Sequence, residues 1–421
     1  MKQSAILQRF LGYVQINTRS VLPKSGEERV KPSSNGQKEL ASVIRSEIAG
    51  MGSAWTGQIT EFTDGSFLAC LPATKGCEQA PHVAFAAHMD TYFGVPGDAK
   101  PIVHAYEGGD IKLPNDGVVI PTADLVGLEG KHIVTSDGTS LLGGDDKAGV
   151  AAMVTTIHEI LTSGMAHGPL SFWFCVDEEI GSIDITVVDE EIVKSWDVFW
   201  NVDGERVGNV DVGCFVCRFV DVIFKGSDAH PGVQGDKLCP AHYAAASFMT
   251  NLVDEKPAPW DTDESTSFYY VTKIEGNASQ AIAYCAPRTF DLNESERMLG
   301  TIKEFAESSA WDFDCTYEVK DRLICINARA AIEPRMALIE PGILAHRKHG
   351  FSGDLHDVRG GTDGAMVNMV YPNLPAPNMG TGAKNLHGLQ EFLVVEELET
   401  VPLILLDMIA EYAKMPGRSS L

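Results

Sequence analysis

Three apolar runs in this chain end abruptly in acidic or histidine side chains. HVAFAAHMD (82–90) closes on His88 and Asp90, LSFWFCV (170–176) runs into Asp177-Glu178-Glu179, and WDVFWNV (196–202) stops at Asp203. Each run is short and apolar almost throughout, which is the composition of a strand covered on both faces. Between the first two lies a helical period, Asp145 to Gly164, with Val150, Val154, Ile157 and Leu161 on one face and Gly164 as its stop signal. Strands that alternate with helices specify an α/β chain with a doubly wound, mostly parallel sheet. Ligands of such sheets gather at the carboxyl ends of the strands, where all these polar residues are expected to lie.

Charge narrows the function. Lysine plus arginine number 33 against 58 aspartates and glutamates, a net charge of −25. Such a surface repels phosphate backbones and anionic lipid, so no nucleic-acid or membrane partner is expected. The most apolar stretch, Val401 to Ala413, contains Asp407 and Glu411 and is shorter than the ~20 residues of a membrane span. The first fifteen residues lack the pattern of a secretory signal. Nine cysteines, an odd number, suit reduced thiols and a cytoplasmic setting. Cys214 and Cys217 form a CxxC, but with no partner CxxC and on a strand-like segment they read as packing residues.

With 421 residues the chain is long enough for two to three domains at about 100–200 residues each. Helices are expected over Ser4 to Thr18 and Gln37 to Gly50, with an exposed polar loop from Pro23 to Asn35. After Asp203 the pattern changes. A strand from Phe215 to Phe224, a helix from Ala241 to Val253, and strands at Thr266 to Ile274 and Gln280 to Phe290 are expected. A helix at Glu294 to Ala310, with Asn293 and Glu296 in capping-box positions, and a strand at Cys315 to Ile324 complete the segment. This order, strand–helix–strand–strand–helix–strand, is that of a ferredoxin-like α+β domain. Residues 214–330 are therefore expected as an inserted domain, with 1–213 and 331–421 forming one discontinuous catalytic domain.

The polar strand ends suggest metal chemistry when taken together. Asp90, two residues from His88 on an extended segment, points the same way and can accept one ring N–H, leaving the other nitrogen for a cation. Carboxylates following a buried strand are costly without a positive partner. Asp145 and Asp146 stand at a helix start. One histidine, several carboxylates and a second histidine, sought in Asn385-Leu386-His387-Gly388, fit a two-metal hydrolytic site in which a carboxylate bridges the ions.

Further motifs give this arrangement a family resemblance. His88-Met89-Asp90, Gly143-Gly144-Asp145-Asp146-Lys147, Asp177-Glu178-Glu179-Ile180-Gly181, Val202-Asp203-Gly204 and His387-Gly388 resemble the metallopeptidases of the M20 family. Arg9-Phe10-Leu11, Gly108-Gly109-Asp110-Ile111, Arg359-Gly360-Gly361-Thr362-Asp363-Gly364 and Glu391-Phe392 resemble its peptidase T (tripeptide aminopeptidase) branch. The resemblance spans essentially the whole chain in the family's motif order.

It implies two zinc ions per subunit, with His88 and Asp203 on the first, Glu179 and His387 on the second, and Asp145 bridging; Asp146 is the alternative bridge. Glu178 would be the general base and Asp90 the residue that orients His88. His230, in Ala229-His230-Pro231-Gly232, would stabilise the oxyanion. Arg288 or Arg359 would grip a substrate carboxylate. The implied activity is removal of the N-terminal residue from short peptides, tripeptides above all, and a homodimer through the inserted domain is the implied assembly. Alternatives with the same metal core are a dipeptidase, a carboxypeptidase or an N-acyl amino-acid amidohydrolase. Outside enzymes, the alternative is a catalytically silent peptide-binding protein.

Overall fold

A computed structural model describes residues 3–22, 29–52, 55–115, 117–255, 259–263 and 265–416. Residues 23–28 of the expected polar loop lie outside the described residues. The chain divides into two compact units. The first comprises Met1–Val212, Ala330–His356 and Val370–Leu421, and the second Gly213–Arg329 with Asp357–Met369. The segment Asp357–Met369, beyond the 214–330 expected for the insertion, is thus grouped with it.

An eight-stranded mixed sheet dominates the first unit. Its order is Gln58–Glu61, Phe67–Leu71, Leu170–Cys175, Val83–His88, Val198–Gly204, Asn378–Gly380, Asn209–Cys214 and Asp354–Val358. The four central strands run parallel to one another. The pairings of Gln58–Glu61 with Phe67–Leu71, of Phe67–Leu71 with Leu170–Cys175, and of Asn378–Gly380 with Asn209–Cys214 are antiparallel. Parallel order is confined to the centre, where helical crossovers cover the faces. Phe85, Phe172, Trp173, Phe174 and Trp200 are fully buried there; each such side chain contributes about 1.5–3 kcal/mol.

The Gly144–Ser163 helix packs on the Val83–His88 and Val198–Gly204 strands. Close approach requires Gly149, since a Cβ there would stand 2.0 Å from the Val202 carbonyl oxygen. Gly164, at φ +62°, ends the helix in the left-handed conformation expected of a stop glycine. The helix Val395–Tyr412 is joined to the sheet by Tyr412, whose hydroxyl accepts the Trp200 indole N–H at 2.8 Å. Among the described residues, no helix is long and apolar enough to cross a membrane.

The second unit has the expected ferredoxin-like order. Its sheet runs Val271–Gly276, Gln280–Cys285, Val216–Lys225, Thr316–Cys325, with each of these neighbours antiparallel. The helices Ala241–Glu255 and Leu292–Asp312 supply Phe248, Met298 and Ile302, which pack on Val220, Val222 and Phe224 of the central strand. Two local expectations are corrected. The Gln280 to Phe290 strand breaks at Ala286-Pro287 into Gln280–Cys285 and Arg288–Thr289, because proline has no N–H for a ladder. The later helix is capped by Asp291, whose carboxylate accepts the Glu294 N–H at 2.6 Å, and not by a box built on Asn293. The CxxC cysteines are buried, and all nine cysteines are free thiols.

Candidate metal centre

His88 is the last residue of the Val83–His88 strand, and its side chain is buried. Its Nε2 lies 2.9 Å from Asp145 Oδ1 and 3.5 Å from Asp203 Oδ1. Its Nδ1 lies 3.4 Å from Asp90 Oδ1 and 3.1 Å from the Asp90 carbonyl oxygen. Asp203 belongs to the neighbouring Val198–Gly204 strand. Parallel pairing of these strands brings the two side chains to one end of the sheet.

Asp145 stands between two imidazoles. Its Oδ1 faces His88, and its Oδ2 lies 3.2 Å from His387 Nε2. The same His387 nitrogen is 3.0 Å from Glu179 Oε2. His88, Asp145, Glu179, Asp203 and His387 therefore converge, although they come from five separate segments. Asp146 is placed differently: its carboxylate accepts the His88 N–H at 3.2 Å and the Gly149 N–H at 3.1 Å. Two sets of side chains sit close enough to hold a cation, His88–Asp146–Asp203 and His88–Asp145–Glu179. The first includes Asp146, but backbone donors already engage both its oxygens, so Asp145 is the better placed of the pair to bridge.

The electrostatics follow from crowding charges in a buried place. Burial opposes a charge on His88, but Asp203, Asp145 and Asp90 outweigh it and hold its pKa well above the ordinary value. Burial also opposes charge on His387, yet Asp145 and Glu179 carry it up to about 11. Burial and then the Asp145 charge push Glu179 up to about 7 and Asp203 up to about 6. For Asp145 burial acts upward, and the two histidines overcome it and pull the pKa below the carboxylate range. Glu179 Oε1 is buried and has no hydrogen-bond partner. Leaving a charged acceptor so costs more than the ~1–3 kcal/mol of a neutral one. Two imidazoles, three converging carboxylates and this orphaned oxygen fit divalent metal binding.

Around these groups the chain builds supports. Asp90 Oδ1 accepts the Glu178 N–H at 3.0 Å, and its Oδ2 accepts the Glu179 N–H at 3.1 Å and the Ser20 hydroxyl at 2.5 Å. Asp177, at φ +59°, turns the chain out of its strand; its carboxylate accepts from Ser33 and from Gln37 at 2.7 Å. The Glu179 side chain is buried, while Glu178 stays part-exposed. Glu391, buried, accepts the Gly143 N–H at 2.8 Å and the Asp145 N–H at 3.1 Å. The Tyr92 ring stacks on His387. Sequence reading missed Ser20 and Tyr92 and saw Glu391 only as part of a motif. The one local signal was that Tyr92 follows Asp90 by two positions.

The remaining expected residues belong to the second unit. His230 is exposed in a turn, where its carbonyl accepts the Val233 and Gln234 N–H groups at 3.0 and 2.8 Å. Arg288 Nη1 donates to the carbonyls of Arg218 and Pro287, and its guanidinium lies over the Phe219 ring. Arg359 lies over Phe215 and Phe268 and donates to the Thr262 hydroxyl at 2.5 Å, while its Nε is buried without a partner.

No family model matches the chain. Curated relatives do. Peptidase T of Pectobacterium carotovorum is 34% identical over 94% of this chain and 95% of its own length. Peptidase T of Clostridium perfringens is 31% identical over 97% of this chain and 98% of its own. Among solved structures, a tripeptidase from Staphylococcus aureus has the same fold, with a TM-score of 0.75, 20% identity and 98% coverage of both chains. So does the aminopeptidase PepT from Bacillus cereus, with a TM-score of 0.72, 22% identity, and 97% and 98% of the two chains covered. A dinuclear metal-binding peptidase from the M20 family of Bacillus subtilis shares the fold at a TM-score of 0.63 and 13% identity, with 98% of this chain and 99% of that one covered. With this identity over nearly the full length, the chain belongs to the peptidase T branch of the M20 metallopeptidases.

Proposed function

We propose that this peptidase is a two-zinc exopeptidase that removes the N-terminal residue from short peptides, tripeptides above all. The observation that carries the reading is Asp145, whose two carboxylate oxygens face the Nε2 atoms of His88 and His387. His88 and Asp203 would hold one ion, Glu179 and His387 the other, with Asp145 shared. When bound, the ions supply a hydroxide at neutral pH and polarise the scissile carbonyl.

The chain's own groups do the rest. Glu178, beside a ligand yet part-exposed, takes the proton of the attacking water and returns it to the leaving amine. Asp90 fixes the ring of His88 through Nδ1 and, by accepting the Glu178 and Glu179 N–H groups, sets the turn that carries both glutamates. His230 donates to the oxyanion that develops on the carbonyl. Arg288 or Arg359 grips the peptide carboxylate, and the unpartnered Nε of Arg359 favours the latter. Nine free thiols support a cytoplasmic setting. A homodimer through the inserted domain is proposed because its sheet ends in the edge strands Val271–Gly276 and Thr316–Cys325.

The test combines metal analysis with a substrate series. Two zinc ions per chain and cleavage of unblocked tripeptides ahead of dipeptides support the reading. Hydrolysis of N-acylated amino acids alone assigns an amidohydrolase instead, release of the C-terminal residue a carboxypeptidase. Full zinc with no hydrolysis at all leaves a peptide-binding protein.

A further inference from the structure

In the second unit, two cysteines face each other across a strand pair. Cys217, on Val216–Lys225, is the register partner of Cys325, on the antiparallel strand Thr316–Cys325. Directly opposed residues of an antiparallel pair have Cα atoms about 4.5–5.5 Å apart. That range lies inside the ~4.4–6.8 Å that a disulfide spans. The side chains also converge. Both sulfurs reach the same acceptor, the Phe215 carbonyl oxygen, at 3.6 Å from Cys217 and 3.5 Å from Cys325. A Cβ built on Gly361 would stand 3.1 Å from Cys325 Sγ and 3.3 Å from Cys217 Sγ, so one glycine covers both thiols.

We propose that Cys217 and Cys325 form a redox-active dithiol, a modification site that closes to an intramolecular disulfide when the protein meets a small-molecule disulfide such as oxidised glutathione.

The chemistry balances without a further reagent. The Cys217 thiolate attacks one sulfur of the small disulfide, forming a mixed disulfide and expelling one thiolate. The Cys325 thiol then loses its proton and attacks the Cys217 sulfur, forming the Cys217–Cys325 bond and expelling the second small thiolate. The protein dithiol is oxidised by two electrons, the small disulfide is reduced to two thiols, and the two protons of the cysteines pass to them. The order of attack follows from the surroundings. A hydrogen bond from Cys325 is the main cause that lowers the Cys217 thiol to about 7 against the effect of burial, and the Arg288 charge adds to it. The same bond is the main cause that raises Cys325. Cys217 is thus the thiolate-forming member and the nucleophile, and Cys325 resolves.

Access comes through a locally weak ladder. The register slips by one residue between Cys217 and Arg218, and the strand on the other side of Cys217, Arg288–Thr289, is only two residues long. Such irregular ends open before the rest of a sheet.

The test uses the full chain, purified reduced and then incubated with oxidised glutathione. Titration of thiols in denaturant is expected to fall from nine to seven, and a digest under non-reducing conditions to yield a linked pair of peptides containing Cys217 and Cys325. Dithiothreitol should restore nine. In a C325S variant Cys217 should stop at the glutathione adduct, which reports the first step even if pairing is lost. Nine thiols after treatment, an adduct on wild-type Cys217 that does not proceed to the linked pair, or a link that involves Cys214 or joins Cys239 to Cys315 would each overturn the proposal.

Discussion

The Tyr92 ring lies flat on the imidazole of His387, with centroids 4.3 Å apart and planes 6° from parallel. His387 is otherwise held on a turn at φ +63°, with its side chain about half exposed. The stack is thus a main restraint on a residue that must aim one nitrogen at both Asp145 and Glu179. Aromatic pairs contribute about 0.5–1.5 kcal/mol beyond burial. Tyr92→Leu is expected to weaken metal binding by roughly 2–10-fold, and Tyr92→Phe to preserve it. Competition against a chelator reads both.

Glu178→Gln tests the division of labour between neighbouring glutamates. The exchange leaves the Asp90 contact to the Glu178 N–H in place, so metal stoichiometry should be unchanged. kcat should fall by about 10²–10⁴-fold, the usual range for a lost general base. Normal turnover in this variant would remove Glu178 from the mechanism.

Glu391 latches the two loops that carry Asp145 and His387. Its carboxylate accepts from Gly143 and Asp145, while its own N–H donates to the Gly388 carbonyl at 3.3 Å. Glu391→Gln replaces one charged acceptor by an amide donor facing a backbone N–H. Metal affinity is expected to drop about 10–100-fold, as for other supporting residues around metal sites. An isotherm indistinguishable from wild type would show that the latch does not position Asp145.

Loading with zinc should expel protons. Against burial, Asp145 and Glu179 carry the His387 pKa up to about 11, and burial with the Asp145 charge pushes Glu179 up to about 7, so near neutral pH the imidazole holds a proton and the carboxyl is partly protonated. As ligands both would have to be deprotonated, so affinity should weaken as pH falls from 8 to 6. Calorimetry in two buffers of different ionisation enthalpy would count the protons, with more than one expected per chain at pH 7. No release would contradict the assignment of His387.

A separate pH response comes from His346, fully buried at the end of the Glu340–Lys348 helix. Its Nδ1–H donates to the Gly342 carbonyl at 2.7 Å, and Nε2 has no partner. Burial lowers its pKa, overcoming that bond and the Asp211 charge. The unfolded chain therefore takes up a proton first as pH falls through about 6.5, and stability is lost below that point. His346→Gln should flatten the fall of Tm between pH 7.5 and 5.5. An unchanged slope would exclude the residue as a source.

How much of this was readable in advance depended on range. The apolar runs ending at His88, Glu179 and Asp203 disclosed the central strands because burial on both faces needs no partner to be recognised. The Asp145 to Gly164 helix showed itself by period and by its terminal glycine. The βαββαβ order survived even where strand limits moved, as at Pro287. The antiparallel edges of the large sheet did not show, since a buried run reads alike in either direction. Nor did Tyr92 on His387, Ser20 on Asp90 or Glu391 on Gly143, because such contacts join residues with no local pattern in common. Asp291 displaced Asn293 as a cap by a shift of two residues, a margin that composition does not resolve.

The strand Asn378–Gly380 occupies an interior place in the large sheet, between Val198–Gly204 and Asn209–Cys214, and His387 follows it closely. Both neighbouring strands precede it in the chain, so that slot can be filled only after residues 213–329 of the second unit have been made. Until then the main sheet has a gap between two of its strands, and His387 is missing from the candidate metal centre. The main sheet and the candidate metal centre are therefore completed by one and the same stretch of chain.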